Sequence, residues 1–561
     1  MTHRMWKAGL ASLALWVCAA QAGDWPGWGR DGGRNMVSDE KNLPAVADPG
    51  KLKPDSEEVD VATTKNVKWV AKLGSQTYGN PTISGGKVFI GTNNEGPRDP
   101  KHKGDRGIVM CFEEATGKFL WQLVVPKLGA GKVSDWEFLG ICSAPVVEGN
   151  HVYVVTNRCE VVCLDANGLA DGNQGYQDEQ VFMSPEAMIA LEQASDDEAR
   201  AKVKERMKDK FVPPGPTDAD ILWRFDMRTE LGVFPHNIAS SSVLLHGDHV
   251  YATTSNGQDW SHVEIPSLNA PTLVKLDKKT GALLAEEASG ISKRLFHCNW
   301  SSPALATVGG KDLIIFGGGD GFLYAFEPEP VKDEEGFNVF KQVWSFECNP
   351  PEHKVKDGQK FKMPGEEGAA DAPFKYPNAD GPSEIIATPV VHNDRIYVAV
   401  GQDPEHGEGV GCLSCVDAAK GTPVWQYKDV GRTISTVSIA EGLLFLAEYS
   451  GKVHCLDVET GKPHWVFDTV SHVWASTLVA DGKVYLGTED GDLWVFALDK
   501  ELKVHDPATD TFVPVPGGKG KATGLKFRAL NFSSPIYGSP VAANGVLYVP
   551  TQTQLWALQK K

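Results

Sequence analysis

The stretch STVSIAEGLLFLAEYSGKVHCLDVETGKPHWVF, Ser435 to Phe467, reads as four short strands joined by tight turns. Apolar runs at Thr436 to Ala440, Leu443 to Glu448 and Lys452 to Asp457 are separated by Glu441-Gly442 and Ser450-Gly451. Thr460-Gly461-Lys462 then leads into a fourth run carrying Trp465. Runs this short, bounded by glycine turns, are strand signals, and four in succession make an antiparallel meander.

The same unit recurs along the chain. An acid, a glycine four residues on and a tryptophan four further on appear as Glu113/Gly117/Trp121, Asp417/Gly421/Trp425 and Asp457/Gly461/Trp465. A degenerate copy is Asp277/Gly281, with Ala285 in the tryptophan place. The acid can hold amides across the turn, the glycine permits positive φ, and the tryptophan can pack between units. Aligning third strands puts Cys111, Cys163, Cys415 and Cys455 in register with Ala325 and Ala557, so these cysteines read as small buried residues. Cys412 and Cys415 have no second pair with which to build a tetrahedral metal site.

A repeat of four-stranded meanders is the signature of a propeller, and the 561 residues then form one array instead of several domains. First strands recur near Pro81, Pro145, Ser242, Pro303, Pro389, Thr436, Ser476 and Pro540. The predicted fold is therefore an all-β, eight-bladed β-propeller of four-stranded antiparallel blades. The last repeat stops after its third strand, so Val67 to Leu73 is expected to supply the fourth. That pairing of N- and C-terminal strands would close the ring and remove an open edge.

Met1 to Ala22 carries basic residues, an apolar run from Leu10 to Ala20 and a small-residue end, which reads as a cleaved secretory signal. The apolar run is too short for a membrane anchor, and no other span follows. Residues 23–64 form a leader segment and 65–561 the propeller, with one helix expected from Ser184-Pro185 to Lys210, capped by Ser184. The net charge of −18 becomes more negative when Arg4 and Lys7 are removed, which argues against nucleic acid as a partner.

From Lys65 to Gln559 these blade signatures resemble the PQQ-like repeat family, whose name refers to pyrroloquinoline quinone. The leader DWPGWGR at Asp24, GQDPEHGEGVG at Gly401 and FHCNWSSP at Phe296 resemble a subgroup of secreted bacterial propellers. Relatives with the same plan are quinoprotein dehydrogenases and the scaffold lipoprotein of the outer-membrane assembly machinery. The enzyme relatives imply a quinone stacked between a tryptophan and a disulfide of adjacent cysteines, with calcium and an aspartate base. This sequence has neither an adjacent cysteine pair nor a CxxCH haem motif.

Loops between blades and loops joining second to third strands emerge on one face, and most long segments fall there. They include Val125 to Cys142, Gly257 to Pro271, Glu347 to Ile386, Gln402 to Gly411 and Leu498 to Tyr537. Residues just before the inner strands should ring the channel mouth: Tyr78, Trp136, His236, His297, Trp300, Glu384, Arg432, His472, Trp474 and Tyr537. Aromatics, His, Glu and Arg converging on one concavity suit a polar small molecule, a sugar, a peptide or an exported protein. Asp403, Glu405, His406 and Glu408 lie close enough in one hairpin to ligate a metal. The expectation is an exported binding or scaffolding propeller without catalysis, periplasmic or extracellular. The alternative is an oxidoreductase using pyrroloquinoline quinone and calcium.

Overall fold

In the computed structural model, which describes residues 23–560 apart from 364, 365, 370 and 373, the decisive stretch forms one antiparallel meander. Its strands are Ser438–Ala440, Leu443–Ala447, Lys452–Asp457 and Pro463–Asp468. The turn before the last strand is built as its chemistry dictates. Asp457 accepts from the Thr460 amide at 3.0 Å and from its hydroxyl at 2.8 Å, and Gly461 takes φ +68°. The secretory-signal reading of Met1 to Ala22 lies outside the described residues.

Seven sheets contain this continuous four-stranded antiparallel meander. Six lie within 82–126, 146–226, 244–286, 304–347, 390–427 and 438–468. The seventh joins Val67–Lys72 to Gln554–Leu558, Val546–Pro550 and Val541–Ala543, the first strand pairing antiparallel with the last of the chain. The expectation of eight such blades is corrected: there are seven. The remaining sheet, 478–531, is composite. Its third strand, Asp492–Ala497, meets Lys503–Asp506 through the single pair Phe496↔Val504 and meets Leu530–Asn531 at its other end. By register, Ala497, Glu501 and His505 stand where Asp457, Gly461 and Trp465 stand in the preceding blade. Without the acid and the positive-φ glycine, no tight turn returns the chain along the third strand.

The repeat's tryptophan locks one blade to the next. Trp69, Trp121, Trp223, Trp344 and Trp425 donate Nε1–H to Glu114, Ala166, Lys278, Ala418 and Val458 carbonyls at 2.9–3.1 Å. Four of these rings lie flat on Gly117, Gly281, Gly421 and Gly461 of the next blade, where an added Cβ would stand 2.5–2.6 Å from the indole. Beneath them, the small register residues have a stated reason. Cys111, Cys163, Cys415, Cys455 and Ala557 each sit between an aromatic on the second strand and the tryptophan on the fourth. The two rings meet across the small side chain with centroids 5.9–6.0 Å apart. The described cysteines are all free thiols.

The expected single helix is two, Pro185–Glu192 and Asp197–Met207. Asp196 breaks the run: it is extended at φ −157° and caps the second helix through the Ala199 amide. Ser184 makes no cap bond; its hydroxyl donates to Gln180 O and accepts from the Val212 amide.

The leader closes one end of the channel. Edge amides and carbonyls of inner strands point into a propeller's axis and need partners. Trp25 pairs with Ile83, Pro26 with Val147, Gly32 with Leu305, Gly33 with Val391 and Met36 with Val479, all through backbone bonds of 2.8–2.9 Å. Asn35 takes both groups of Ile439, and the Ser38 hydroxyl donates to Ala542 O. Buried Arg34 donates to the carbonyls of Trp28, Val243 and Pro303 at 2.8–2.9 Å. Every inner strand is thereby stitched to 23–38.

Candidate functional site

With one end sealed, the channel becomes a cup of about 380 Å3 that opens on the long-loop face. Trp28 forms its floor and donates its indole N–H to Thr388 at 2.9 Å. Above it runs a belt of hydroxyls. The amides of Ala144, Ser242, Thr388, Thr436 and Ser476 donate to the hydroxyls of Ser242, Ser302, Thr436, Ser476 and Ser539 in the adjoining sheet. Ser539 N continues the belt to Asn80 Oδ1 at 2.6 Å. Each hydroxyl oxygen is engaged by an amide and keeps a proton to donate into the cup.

The rim is aromatic. Tyr78 and Tyr537 stack at 4.8 Å, with Trp474 tilted against both at 5.4 and 5.0 Å. Trp474 donates to Glu489 at 3.1 Å, Trp136 lies beneath the Lys132 ammonium, and Trp300 donates to Ile238 O. Asp403 and Glu405 add carboxylates to the wall. Of the ten candidates read from sequence, Tyr78, Trp136, Trp300, Trp474 and Tyr537 line this cup.

His236, His297 and Glu384 are buried behind Trp300. The two imidazoles, one position apart in the register that aligns Ser242 with Ser302, meet Nε2 to Nε2 at 2.6 Å. His236 Nδ1 faces the Gln258 carbonyl at 2.5 Å, and His297 Nδ1 lies 2.9 Å from Asp403 Oδ2, which also contacts His406 Nδ1 at 2.6 Å. Tyr376 donates to Glu384 Oε2 at 3.0 Å. Burial opposes a charge on His297, but Asp403 and Glu384 outweigh it and push its pKa up to about 9. Burial, then the neighbouring His297, drives His236 down to about 2; the same causes take His262 to about 4. His297 and His406 hold Asp403 well below the usual carboxylate range against its burial.

Arg432 is only 2% exposed and braces loop carbonyls of Asn378 and His406. His472 is exposed, stacked on Tyr449 at 4.4 Å and within 3.6 Å of both Glu408 and Glu489. The four metal candidates are thus divided: Asp403 and His406 join His297, Glu405 lines the cup, and Glu408 faces His472. Sequence reasoning missed His262, Tyr376, Trp28 and the hydroxyl belt. Only the belt left a signal, since Ser242, Ser302, Thr436, Ser476 and Ser539 recur at one repeat position. The cup also holds Cys142 as a lone free thiol. A quinone seated on a disulfide of adjacent cysteines therefore does not fit these residues.

Fold and site together define a β-propeller with a plugged axis and a polar, aromatic cup. The family model described as outer membrane protein assembly factor BamB matches residues 64–181, 103–294 and 409–506, more than half of the chain. The chain belongs to this PQQ-like repeat family. A europium-containing methanol dehydrogenase is similar in fold, with a TM-score of 0.52 at 12% identity over 96% of this chain and 98% of that one. BamB from Moraxella catarrhalis gives a TM-score of 0.47 at 12% identity, covering 88% and 97% of the two chains. Quinohemoprotein alcohol dehydrogenase from Comamonas testosteroni gives 0.43 at 14% identity, covering 96% and 81%. None of the curated proteins matches the chain. Among the described residues, no helix is long and apolar enough to cross a membrane.

Proposed function

We propose that this chain is an exported binding propeller whose cup takes a neutral, polyhydroxylated ligand of the sugar class. The observation that carries the reading is the cup's composition: stacking aromatics on the rim, hydroxyl donors in a belt and two carboxylate acceptors above a sealed floor. Aromatic faces suit the C–H faces of a pyranose, while donors and acceptors at fixed positions read its hydroxyls. Export rests on the signal-like Met1 to Ala22. Cleavage after Ala22 would leave Gly23 first, and its carbonyl already accepts from the Asn544 amide at 3.0 Å.

Four tryptophans line the cup, so ligand binding should change their fluorescence. Titration with mono- and oligosaccharides is expected to give saturable quenching or enhancement that Trp474→Ala abolishes. Saturation by pyrroloquinoline quinone with calcium, and by no sugar, would replace this reading with quinone chemistry.

A further inference from the structure

We infer that His236, His262 and His297 hold one divalent transition-metal ion of the zinc class, beside the cup and independently of what the cup binds. Three imidazoles from three separate connections offer ring nitrogens that all lie within 4.8 Å of one another. Their centroids are 4.2, 4.9 and 5.3 Å apart, and His406 approaches the same group at 5.0 Å from His297. Three histidines with a further position open is a donor set that suits zinc and its neighbours in the first transition row.

One ring is held in place for ligation: a carbonyl at 2.5 Å keeps the proton of His236 on Nδ1, while the Asp403 carboxylate stands 2.9 Å from His297 Nδ1 as its charge partner. A backbone oxygen or carboxylate behind the ring is the usual orienting partner of a ligating imidazole. The two Nε2 atoms face one another across 2.6 Å in a buried place, and displacing the proton held between them frees both lone pairs for one cation. Opening that gap to about 3.3 Å gives the spacing of two nitrogens around a tetrahedral zinc. Nearby, Glu384 Oε1 is buried without a hydrogen-bond partner and lies 3.8 Å from His297 Nδ1, a second anionic group left to balance positive charge in the cluster. His262, half-buried on the Gly257–Pro271 loop, is the ligand nearest solvent and so the way in. The separate cluster of Asp99, His102 and Asp218 differs in this respect: the Lys101 ammonium already occupies it, 2.6 Å from Asp218 and 3.4 Å from Asp99.

The test uses the whole mature chain, stripped with chelator and dialysed against Zn2+, Co2+ or Cu2+. One equivalent of zinc should be retained, cobalt should give the strong visible bands of a low-coordinate site, and zinc should raise the melting temperature. His262→Gln should lose the bound equivalent and the melting shift. Asp403→Asn, which removes an orienting partner and no ligand, should weaken zinc by about 10–100-fold. Pulsed EPR of the copper-loaded wild type counts imidazole ligands without any variant: three are expected, and fewer overturn the inference. So do failure of the wild type to retain stoichiometric zinc and retention unchanged in His262→Gln. In those cases the two Nε2 atoms share a proton instead.

Discussion

The two ends of the channel are built on opposite principles. At the closed end, Gly23 to Ser38 answers the inner strands of every sheet, and Arg34 places its donors on three carbonyls. At the open end, carboxylates and imidazoles are packed together with Glu384 Oε1 and Gln402 Oε1 buried and unpaired. Polar groups satisfied by backbone hold a fold together. Polar groups gathered in a concavity without full satisfaction cost stability, and proteins keep them where something binds.

The strongest way to break this contrast is at the closed end. Arg34→Met leaves three buried carbonyls without donors and should cost roughly 3–5 kcal/mol, measured by denaturant unfolding of the full chain. Unchanged stability would mean that the leader only rests in the channel.

A buried carboxylate in the turn between the second and third strands of the 304–347 blade should behave in the opposite sense. Burial raises the Asp320 pKa to about 6 although Tyr324 and Arg294 bond it. Between about pH 3.9 and 6 the folded state therefore binds more protons than the unfolded one, so this residue's contribution to stability falls as pH rises through that window. Above it, ionised Asp320 costs on the order of 2–3 kcal/mol relative to acid conditions. Melting curves from about pH 4 to 7 should show Asp320→Asn flattening that fall. A parallel profile in the variant would contradict the assignment.

The turns at the closed end separate two roles of glycine. Gly442 has φ +79° and nothing within 4 Å of an added Cβ, whereas Gly461 has φ +68° and the Trp425 ring at 2.5 Å. Gly442→Ala should cost about 1 kcal/mol from backbone strain, and Gly461→Ala about twice that because the inter-blade lock must also shift. Equal losses would show that the tryptophan yields freely.

The smallest stability effect belongs to the mouth. Trp136→Ala removes a half-buried rim residue and should change folding by under about 1 kcal/mol while lowering affinity for the cup ligand. A large loss of stability with unaltered affinity would make the rim a plug.

The sequence by itself determined the blade. A period of strands and turns, an acid and glycine four apart and a small residue in register with cysteine or alanine are local features, and local hydrogen bonding and packing enforce them. It also placed His236 and His297 just before two successive inner strands. The sheet at 478–531 was legible only in part, because its inner three strands obey the pattern while Ala497, Glu501 and His505 replace the residues that make the fourth turn. Only the tertiary structure decided which end is floor and which is mouth. The threading of 23–38 depends on the ring's inner edges, which exist only after all sheets assemble. Likewise His262, Asp403 and Glu384 reach one cluster from connections up to about 140 residues apart, and no spacing along the chain encodes that convergence.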